Sequence, residues 1–309
     1  MSAATACETA SGAADMTPFS SGVAAIHCEP WDIGTGVTGY VWRAPKPRAI
    51  LLLQHGYGHY AQQYLRGNAA LVSHLLAMGI SVYAFDMWGN GRSLGQRGAT
   101  DVNRAATDHL AARRKLAQDA ETRGLPVFLF GHSVGGLVTV TSVLRDGGNV
   151  QGVILASPTL ADASGFSRAM ARLGAVLAPA TNIPGPGGKI ESLTAEPEIQ
   201  QALVRDTLYF RRVTWITAAS GASLAHANWK LYPSVRAPVL VLHGDADETT
   251  SPNANRRFVD AVGSTDKQFR LVPGGLHVLL DDTKRDEVRT AILAWIQARM
   301  RSAVTAGKR

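Results

Sequence analysis

Short apolar runs alternate with amphipathic stretches along most of this chain. Seven segments that are mostly apolar predict strands: 37–42, 49–53, 80–85, 126–130, 153–156, 238–242 and 268–272. The continuous apolar run 49–53 is typical of a strand buried on both faces of a sheet. Apolar residues at helical spacing predict helices over 64–78, 102–122, 134–144, 253–262 and 287–300. This alternation predicts an α/β fold with a mostly parallel, doubly wound sheet and crossover helices on both faces.

The alternation is interrupted over residues 158–233. A loop rich in Pro and Gly at 180–188 lies there among three predicted helices, over 166–177, 198–209 and 211–229. We interpret 158–233 as a helical cap, or lid, inserted between two strands of the sheet, because so long an excursion is uncommon without such a function. Ordinary crossover helices joined by a long loop are the alternative interpretation.

The remaining segments, 21–157 and 234–309, form the predicted α/β core. A flexible leader rich in Ala, Ser, Thr and Gly is expected over 1–20. The chain has 309 residues, of which 46% are hydrophobic and 18% charged, and this composition indicates a globular protein with a sizeable core.

The formal charge of +7 raises the question of an anionic partner. Much of the excess lies in 284–309, spread along a predicted helix and tail. No dense basic run with interleaved aromatic residues is present, so a nucleic-acid partner is not expected. The charge is compatible with weak, transient contact with an anionic membrane surface.

The sequence predicts a cytoplasmic location. Cys7 and Cys28 are the two cysteines, and they suggest no disulfide framework. The first basic residue is Arg43, so the N-terminus lacks the charged region of a signal peptide. No apolar run reaches the 18 residues that a membrane span needs.

Ser133 is the candidate nucleophile. It lies in Gly131-His132-Ser133-Val134-Gly135, a G-x-S-x-G pattern that directly follows the predicted strand 126–130 and precedes the predicted helix 134–144. A nucleophile elbow needs this strand–turn–helix context. A Gly-rich turn with a passive serine is the alternative.

A serine nucleophile needs a base and a group that orients the base, in the chain order Ser, acid, His in this fold. Asp245 and Asp247 both follow the strand 238–242, and the loop position allows either; Glu248 is a third, weaker candidate. His277 follows the strand 268–272 and is the last histidine in the chain, so it has no rival as the base.

The oxyanion donors are expected from two backbone N–H groups. Val134 supplies the one after the nucleophile, and Tyr57, in His55-Gly56-Tyr57-Gly58 after an early strand, supplies the other. His55 is expected to orient this loop. No dinucleotide-binding G-x-G-x-x-G follows a strand and no metal-ligand spacing is present, so neither cofactor nor metal is expected.

These motifs together resemble the monoacylglycerol lipase and lysophospholipase group of α/β-hydrolases, of serine aminopeptidase S33 ("hydrolase 4") type. The resemblance covers about residues 37–296 and rests on HGYGHYAQQY, FDMWGNGRSLG, GHSVGG, HGDADETTSP and GGLHVLLDD. It implies the triad Ser133, Asp247 and His277, the oxyanion donors Tyr57 and Val134, and a helical lid over an acyl-binding tunnel. It also implies lipid ester substrates such as monoglycerides or lysophospholipids.

The sequence departs from the family pattern around the site. The usual Glu-His after the first glycines is His59-Tyr60, the following Arg is Gln63, and the second His of the D-x-x-G-H-G turn is Asn90. The expected substrate-binding residues lie in both core and cap, although at helical spacing the cap residues equally suit packing against the core: His55, Gly56, His132, Phe166, Met170 and Phe210.

The predicted activity is hydrolysis of carboxylic esters through an acyl-enzyme. The alternatives are a hydrolase or acyltransferase of the same fold acting on other small esters, amides or thioesters, and, more remotely, a non-catalytic ligand-binding protein. An intact set of Ser133, Asp247 and His277 argues against the last of these.

Overall fold

The computed structural model describes residues 26–65, 71–184 and 188–306, with side chains to residue 300. Eight strands form one sheet in this part of the chain, in the order β1-β2-β4-β3-β5-β6-β7-β8. The strands are β1 (Glu29–Trp31), β2 (Gly39–Trp42), β3 (Ala49–Gln54), β4 (Ile80–Phe85), β5 (Val127–His132), β6 (Gly152–Ala156), β7 (Val239–Gly244) and β8 (Lys267–Val272). Strands β3 to β8 pair in parallel, whereas β1 and β2 are antiparallel. The predicted mostly parallel sheet is confirmed.

Eight α-helices accompany the sheet within the described residues: α1 (Leu71–Ala77), α2 (Val102–Gln118), α3 (Val134–Asp146), α4 (Gly165–Leu177), α5 (Pro197–Arg205), α6 (Trp215–Asn228), α7 (Pro252–Ala261) and α8 (Arg285–Ala306). Short 3-10 helices lie at Ala61–Leu65, Ile190–Ser192, Trp229–Ser234 and Leu279–Asp281. No helix in the described part of the chain has the length and apolarity that crossing a membrane requires.

The core lies on both faces of the sheet. Side chains alternate along a strand, so Ile50 and Leu52 of β3 pack in a cluster with residues of α2, α3 and α7. Leu51 and Leu53 face the other way and pack with residues of α1 and α8. This double burial explains why the central strands have nearly continuous apolar sequences.

The chain between β6 and β7 contains α4, α5 and α6. Helix α6 joins this segment to the core through hydrogen bonds from Val102 N to Ser220 Oγ (3.0 Å) and from Asn228 Nδ2 to Thr141 Oγ1 (2.8 Å). Helix α4 packs on α6, where the Trp215 ring lies directly against Gly174. Residues 185–187 of the predicted 180–188 loop, and the whole predicted leader 1–20, lie outside the described residues.

Several element boundaries differ from the sequence prediction. Strand β1 was not predicted. The predicted helix over 64–78 is described only as the 3-10 helix 61–65 and as α1 from Leu71. Helix α2 ends at Gln118, short of the predicted residue 122, because the Thr122 hydroxyl donates to Leu116 O (2.6 Å) and Asp119 is extended. Cys28 is disulfide-bonded, which the sequence did not lead us to expect.

Candidate active site

The turn between β5 and α3 presents the Ser133 side chain. Ser133 has φ 53° and ψ −123°, a conformation that side chains larger than glycine rarely adopt. The residues two positions before and after Ser133 must be glycine, because a Cβ atom on Gly135 would lie 2.3 Å from His55 O and one on Gly131 would lie 2.6 Å from Gly135 O. The sequence therefore folds into the sharp strand–turn–helix that a nucleophile elbow requires.

Three distant segments of the chain meet at Ser133. Its Oγ lies 3.0 Å from His277 Nε2, and His277 Nδ1 lies 2.9 Å from Asp247 Oδ2. Asp247 follows β7 and His277 follows β8, so both come from the carboxyl ends of neighbouring parallel strands. The structure thus brings the predicted nucleophile, base and acid into one continuous hydrogen-bonded path.

The Asp247 carboxylate accepts hydrogen bonds on both oxygens. Its Oδ1 accepts from the backbone N–H groups of Thr249 (2.7 Å) and Thr250 (3.0 Å). Its Oδ2 accepts from the Thr250 hydroxyl (2.7 Å) and lies 3.1 Å from His243 Nε2, besides its contact with His277. Burial would raise the pKa of this carboxyl, but the hydrogen bonds from His243, His277 and Thr250 lower its pKa well below the usual range.

The two other acidic candidates lie apart from His277. Asp245 is exposed, and its Oδ1 accepts from the N–H of Gly274 (2.6 Å), which places it as a brace for the loop that carries His277. Glu248 is exposed at the rim of a cleft that Asp247 and Thr250 also line. The geometry therefore favours Asp247 over Asp245 and Glu248 as the partner of His277.

The loop after β3 lies against the elbow. A Cβ atom on Gly56 would be only 3.1 Å from Ser133 Cβ, so Tyr57 follows immediately after the point of closest approach. His55 fixes this loop by two contacts, one between Nδ1 and Gly56 O (2.7 Å) and one in which Nε2 accepts from Met87 N (2.9 Å). The loop that contains Tyr57 is therefore fixed against the elbow that contains Val134.

Residues of the segment between β6 and β7 contact the same loop. The N–H of Phe210 donates to Gly58 O (3.1 Å), and the Tyr57 hydroxyl lies 2.8 Å from both Gly98 O and Arg212 O. The Phe210 ring packs on Tyr57 and Gly98. Phe210 was expected to bind substrate, and the contacts that the structure gives it are with Tyr57, Gly58 and Gly98.

The other expected substrate-binding residues of the cap are solvent-facing. Phe166 is 77% exposed and Met170 is also exposed, on a face of α4 that further apolar residues extend. His132, by contrast, is buried beside the triad, with its Nε2 3.4 Å from His277 O. Burial lowers the pKa of His132 well below its usual value, so this ring is neutral near pH 7.

A sequence model of the family described as serine aminopeptidase, S33, matches residues 45–284. The chain belongs to this family. Its fold is that of the α/β-hydrolases, as the sheet order and the superposition on solved structures both indicate.

Relatives of this S33 protein include named lipases. The monoacylglycerol lipase of Mycolicibacterium smegmatis is 27% identical over 253 residues, 81% of this chain and 88% of that protein. The monoglyceride lipase of Homo sapiens is 26% identical over 271 residues, 84% of this chain and 86% of that protein. The crystal structure of Paleococcus ferrophilus monoacylglycerol lipase has a TM-score of 0.75 at 27% identity, covering 84% of this chain and 99% of that one.

The S33 chain uses neutral groups where it departs from the family pattern. His59 Nδ1 lies 2.6 Å from Gln63 Oε1, and burial lowers the pKa of His59 to about 3. Asn90 accepts from Gly58 N (3.0 Å) and donates to Thr100 Oγ1 (2.6 Å), so it supports the loop that contains Tyr57. A neutral His–Gln pair therefore lies at the position of the family's Glu and Arg.

Three residues beside the site were not predicted: His243, Thr250 and Asn255. Their signal in the sequence is their closeness to the acid, since His243 precedes Asp247 by four residues and Asn255 follows it by eight. Spacing alone does not tell which of them point inward, because the strand, the loop and α7 each present side chains differently.

Proposed function

We propose that this protein is a serine ester hydrolase of the lipase type that cleaves monoacylglycerols or lysophospholipids through an acyl-enzyme on Ser133. The observation that carries the proposal is the path Ser133–His277–Asp247, with contacts of 3.0 and 2.9 Å. The names of the relatives support a lipid ester as substrate. The proposed reaction uses these three residues, two backbone N–H groups and water.

In the first half of the reaction, His277 Nε2 takes the Ser133 proton as Oγ attacks the ester carbonyl. The bond between the carbonyl carbon and the leaving oxygen then breaks, and the His277 imidazolium protonates the leaving alcohol. In the second half, His277 activates water, which attacks the acyl-enzyme, and the proton returns to Ser133 Oγ. Asp247 holds the His277 tautomer and stabilises the imidazolium throughout.

The oxyanion of each tetrahedral intermediate is stabilised by the backbone N–H groups of Tyr57 and Val134. Such a donor contributes about 3 kcal/mol to transition-state stabilisation when it is held in place before the reaction. The close packing of Gly56 on the elbow and the contacts of Tyr57 with the cap supply that fixed geometry.

Substrate hydrolysis by wild type and Ser133→Ala tests the proposal. We expect wild type to release fatty acid from monoacylglycerols or lysophosphatidylcholine and to cleave p-nitrophenyl esters of several chain lengths. Ser133→Ala should lose activity by on the order of 10⁶-fold, since the nucleophile is absent. Ser234→Ala, which changes an exposed serine, is the matched control. Undiminished turnover by Ser133→Ala would refute the assignment.

Transient contact with a membrane surface belongs to the same proposal. Helix α4 exposes five apolar side chains that a soluble substrate would not require: Phe166, Met170, Leu173, Val176 and Leu177. The net charge of +7 favours anionic lipids. These features suit an enzyme that extracts its substrate from a lipid surface.

Vesicle co-sedimentation measures this contact. We expect the wild-type protein to bind vesicles containing phosphatidylglycerol, and the double variant Phe166→Ser/Val176→Ser to bind at least about tenfold more weakly, because about 3 kcal/mol of apolar burial is lost. Leu94→Ser is the control, because Leu94 is an exposed leucine outside the segment that contains α4. Equal binding by the double variant and wild type would exclude α4 as the contact.

A cytoplasmic location is also proposed. Cell fractionation against a cytosolic marker tests it. Recovery in an exported fraction would contradict it and would fit the disulfide of Cys28, since disulfides persist mainly in oxidising compartments.

A further inference from the structure

His243 is a buried histidine at the carboxyl end of β7. Its side chain has no solvent exposure, and its backbone pairs with Leu271 of β8. The ring points toward the loop that carries Asp247, and Nε2 lies 3.1 Å from Asp247 Oδ2. The oxygen that faces His277 therefore also faces a second histidine.

The contact of Asn255 with His243 Nδ1 shows which ring nitrogen carries the proton. Asn255 Nδ2 lies 2.8 Å from Pro158 O, and a carbonyl oxygen can only accept, so the Asn255 amide nitrogen points this way. The same Nδ2 lies 2.8 Å from His243 Nδ1, which must accept the second amide hydrogen. The proton of the neutral ring is therefore on Nε2, where it faces Asp247.

We propose that His243 is a positioning residue of the triad: as a neutral imidazole locked by Asn255, it donates its Nε2 hydrogen to Asp247 Oδ2 and holds that oxygen toward His277. The proposal rests on the serine-hydrolase function proposed above. It assigns His243 no contact with substrate. It makes β7, its loop and α7 one unit that presents the acid.

The charge around His277 makes this role measurable. Asp247 is the carboxylate that contacts the His277 ring, while His132 lies 5.1 Å away between ring centroids and is neutral near pH 7. His59 packs behind His132 and is neutral as well. Two further carboxylates accept from backbone N–H groups of the loop that carries His277: Asp245 from Gly274 and Asp282 from Leu276.

Removing the His243 donor should change both the rate and its pH dependence. In His243→Phe, Asp247 loses one hydrogen bond, its negative charge becomes less dispersed, and it stabilises the His277 imidazolium more strongly. On the acid side of the pH profile, kcat/KM falls as His277 becomes protonated, and we call this fall the acid limb. We expect the midpoint of the acid limb to rise by about half to one pH unit. We also expect kcat to fall about 10- to 100-fold, with KM little changed, because the acid is less well held.

His243→Gln is the conservative variant, because its amide N–H can still donate to Asp247. It should retain the wild-type acid limb and most of kcat. His109→Gln is the matched control, since His109 is equally buried but bonds Ser142 in the α2–α3 contact. His109→Gln should leave the acid limb of the pH profile unchanged, even if it lowers the stability of the fold. If the role of His243 were merely structural, His243→Phe would likewise leave the acid limb unchanged.

The experiment compares p-nitrophenyl ester hydrolysis and the rate of fluorophosphonate labelling across pH in wild type and these variants. A wild-type acid limb in His243→Phe, or a loss of kcat below about threefold, would overturn the positioning role. Should His243→Phe not fold, Asn255→Leu decides, because it unlocks the tautomer and should shift the limb in the same direction. Failure of wild type to be labelled or to hydrolyse any ester would instead refute the proposed function itself.

Discussion

Asp245 and Asp247 lie two residues apart in one loop, yet their carboxylates have different surroundings. Asp247 is buried and contacts the His277 ring at 2.9 Å, whereas Asp245 is exposed and bonds the Gly274 N–H at 2.6 Å. A carboxylate that orients an imidazole must touch the ring itself. We therefore propose that Asp245 supports the loop that carries His277 and that Asp247 acts on the His277 ring.

Exchange of each aspartate for asparagine separates the two roles. Asp247→Asn should lower kcat by on the order of 10⁴-fold, because the amide favours the wrong His277 tautomer and does not stabilise the imidazolium. Asp245→Asn retains an oxygen that accepts from Gly274 N and should cost less than about tenfold. Steady-state kinetics on one ester measures both. Similar losses in the two variants would contradict the assignment.

The sequence singled out candidate residues where chain order or local turn chemistry restricts the choice. Ser133 was chosen from its strand–turn–helix context and His277 because no later histidine exists, and the structure brings the two side chains within 3.0 Å. Asp247 against Asp245 was left open by the loop position and was favoured by family resemblance. His243 and Asn255 were missed, because their contact depends on how α7 returns to pack beside β7, which local spacing does not reveal.

At the scale of elements, the loop at residues 55–58 and the segment between β6 and β7 are connected by hydrogen bonds. The segment after α5, residues 206–212, accepts from the Tyr57 hydroxyl at Arg212 O and from the Tyr60 hydroxyl at Asp206 Oδ2, and it donates from Phe210 N to Gly58 O. A movement of this segment would therefore move the loop that carries Tyr57. If Tyr57 N–H binds the oxyanion as proposed, the segment also acts on the geometry of catalysis.

Tyr57→Phe tests this connection without touching the backbone donor. The variant loses the single hydroxyl hydrogen that Gly98 O and Arg212 O, each 2.8 Å from the Tyr57 oxygen, can accept, so the loop is held less firmly. We expect kcat to fall about tenfold and the affinity for a boronic acid transition-state analogue to fall in proportion, with KM nearly constant. Tyr83→Phe, whose hydroxyl contacts Arg43 and no residue of the site, is the control. Unchanged analogue affinity in Tyr57→Phe would show that the cap does not position this loop.

The sequence predicted the elements of the core better than their ends. Strand β4 was predicted with its observed limits, because an apolar run buried on both faces has sharp edges. Strand β1 was missed, since Glu29–Trp31 is short and contains a proline, and it pairs only at the sheet edge. Helix α5 ends at Arg205 because the Asp206 side chain accepts from Leu208 N, a local turn that hydrophobic spacing does not report.

At the scale of the whole molecule, the protein keeps several histidines buried and neutral. Burial lowers the pKa of His55 to about 4 and that of His59 to about 3. It also lowers the pKa of His109 and His132 well below 6.5. In the unfolded chain each ring would titrate near its ordinary value, so all four link folding to pH with the same sign.

The buried carboxyl group of Asp86 links folding to pH with the opposite sign. Burial raises the pKa of this carboxyl to about 6, although backbone N–H groups of Arg92 and Ala61 and the Tyr40 hydroxyl hold it. Between the ordinary pKa of Asp86 in the unfolded chain and about pH 6, the native state binds a proton that the unfolded state releases. Its contribution to stability therefore grows as pH falls and is lost as pH rises through 6, so it offsets one of the four histidines.

The net expectation is a loss of stability on mild acidification. Below about pH 6.5 the unfolded state binds protons that the native state excludes, so each buried histidine lowers the free energy of unfolding by about 1.4 kcal/mol per pH unit until its folded pKa is reached. Urea unfolding followed by tryptophan fluorescence should give a lower midpoint at about pH 5 than at about pH 8. His109→Gln removes one such group and should flatten this pH dependence. An equal slope in that variant and wild type would mean that His109 is not excluded from protonation in the native state.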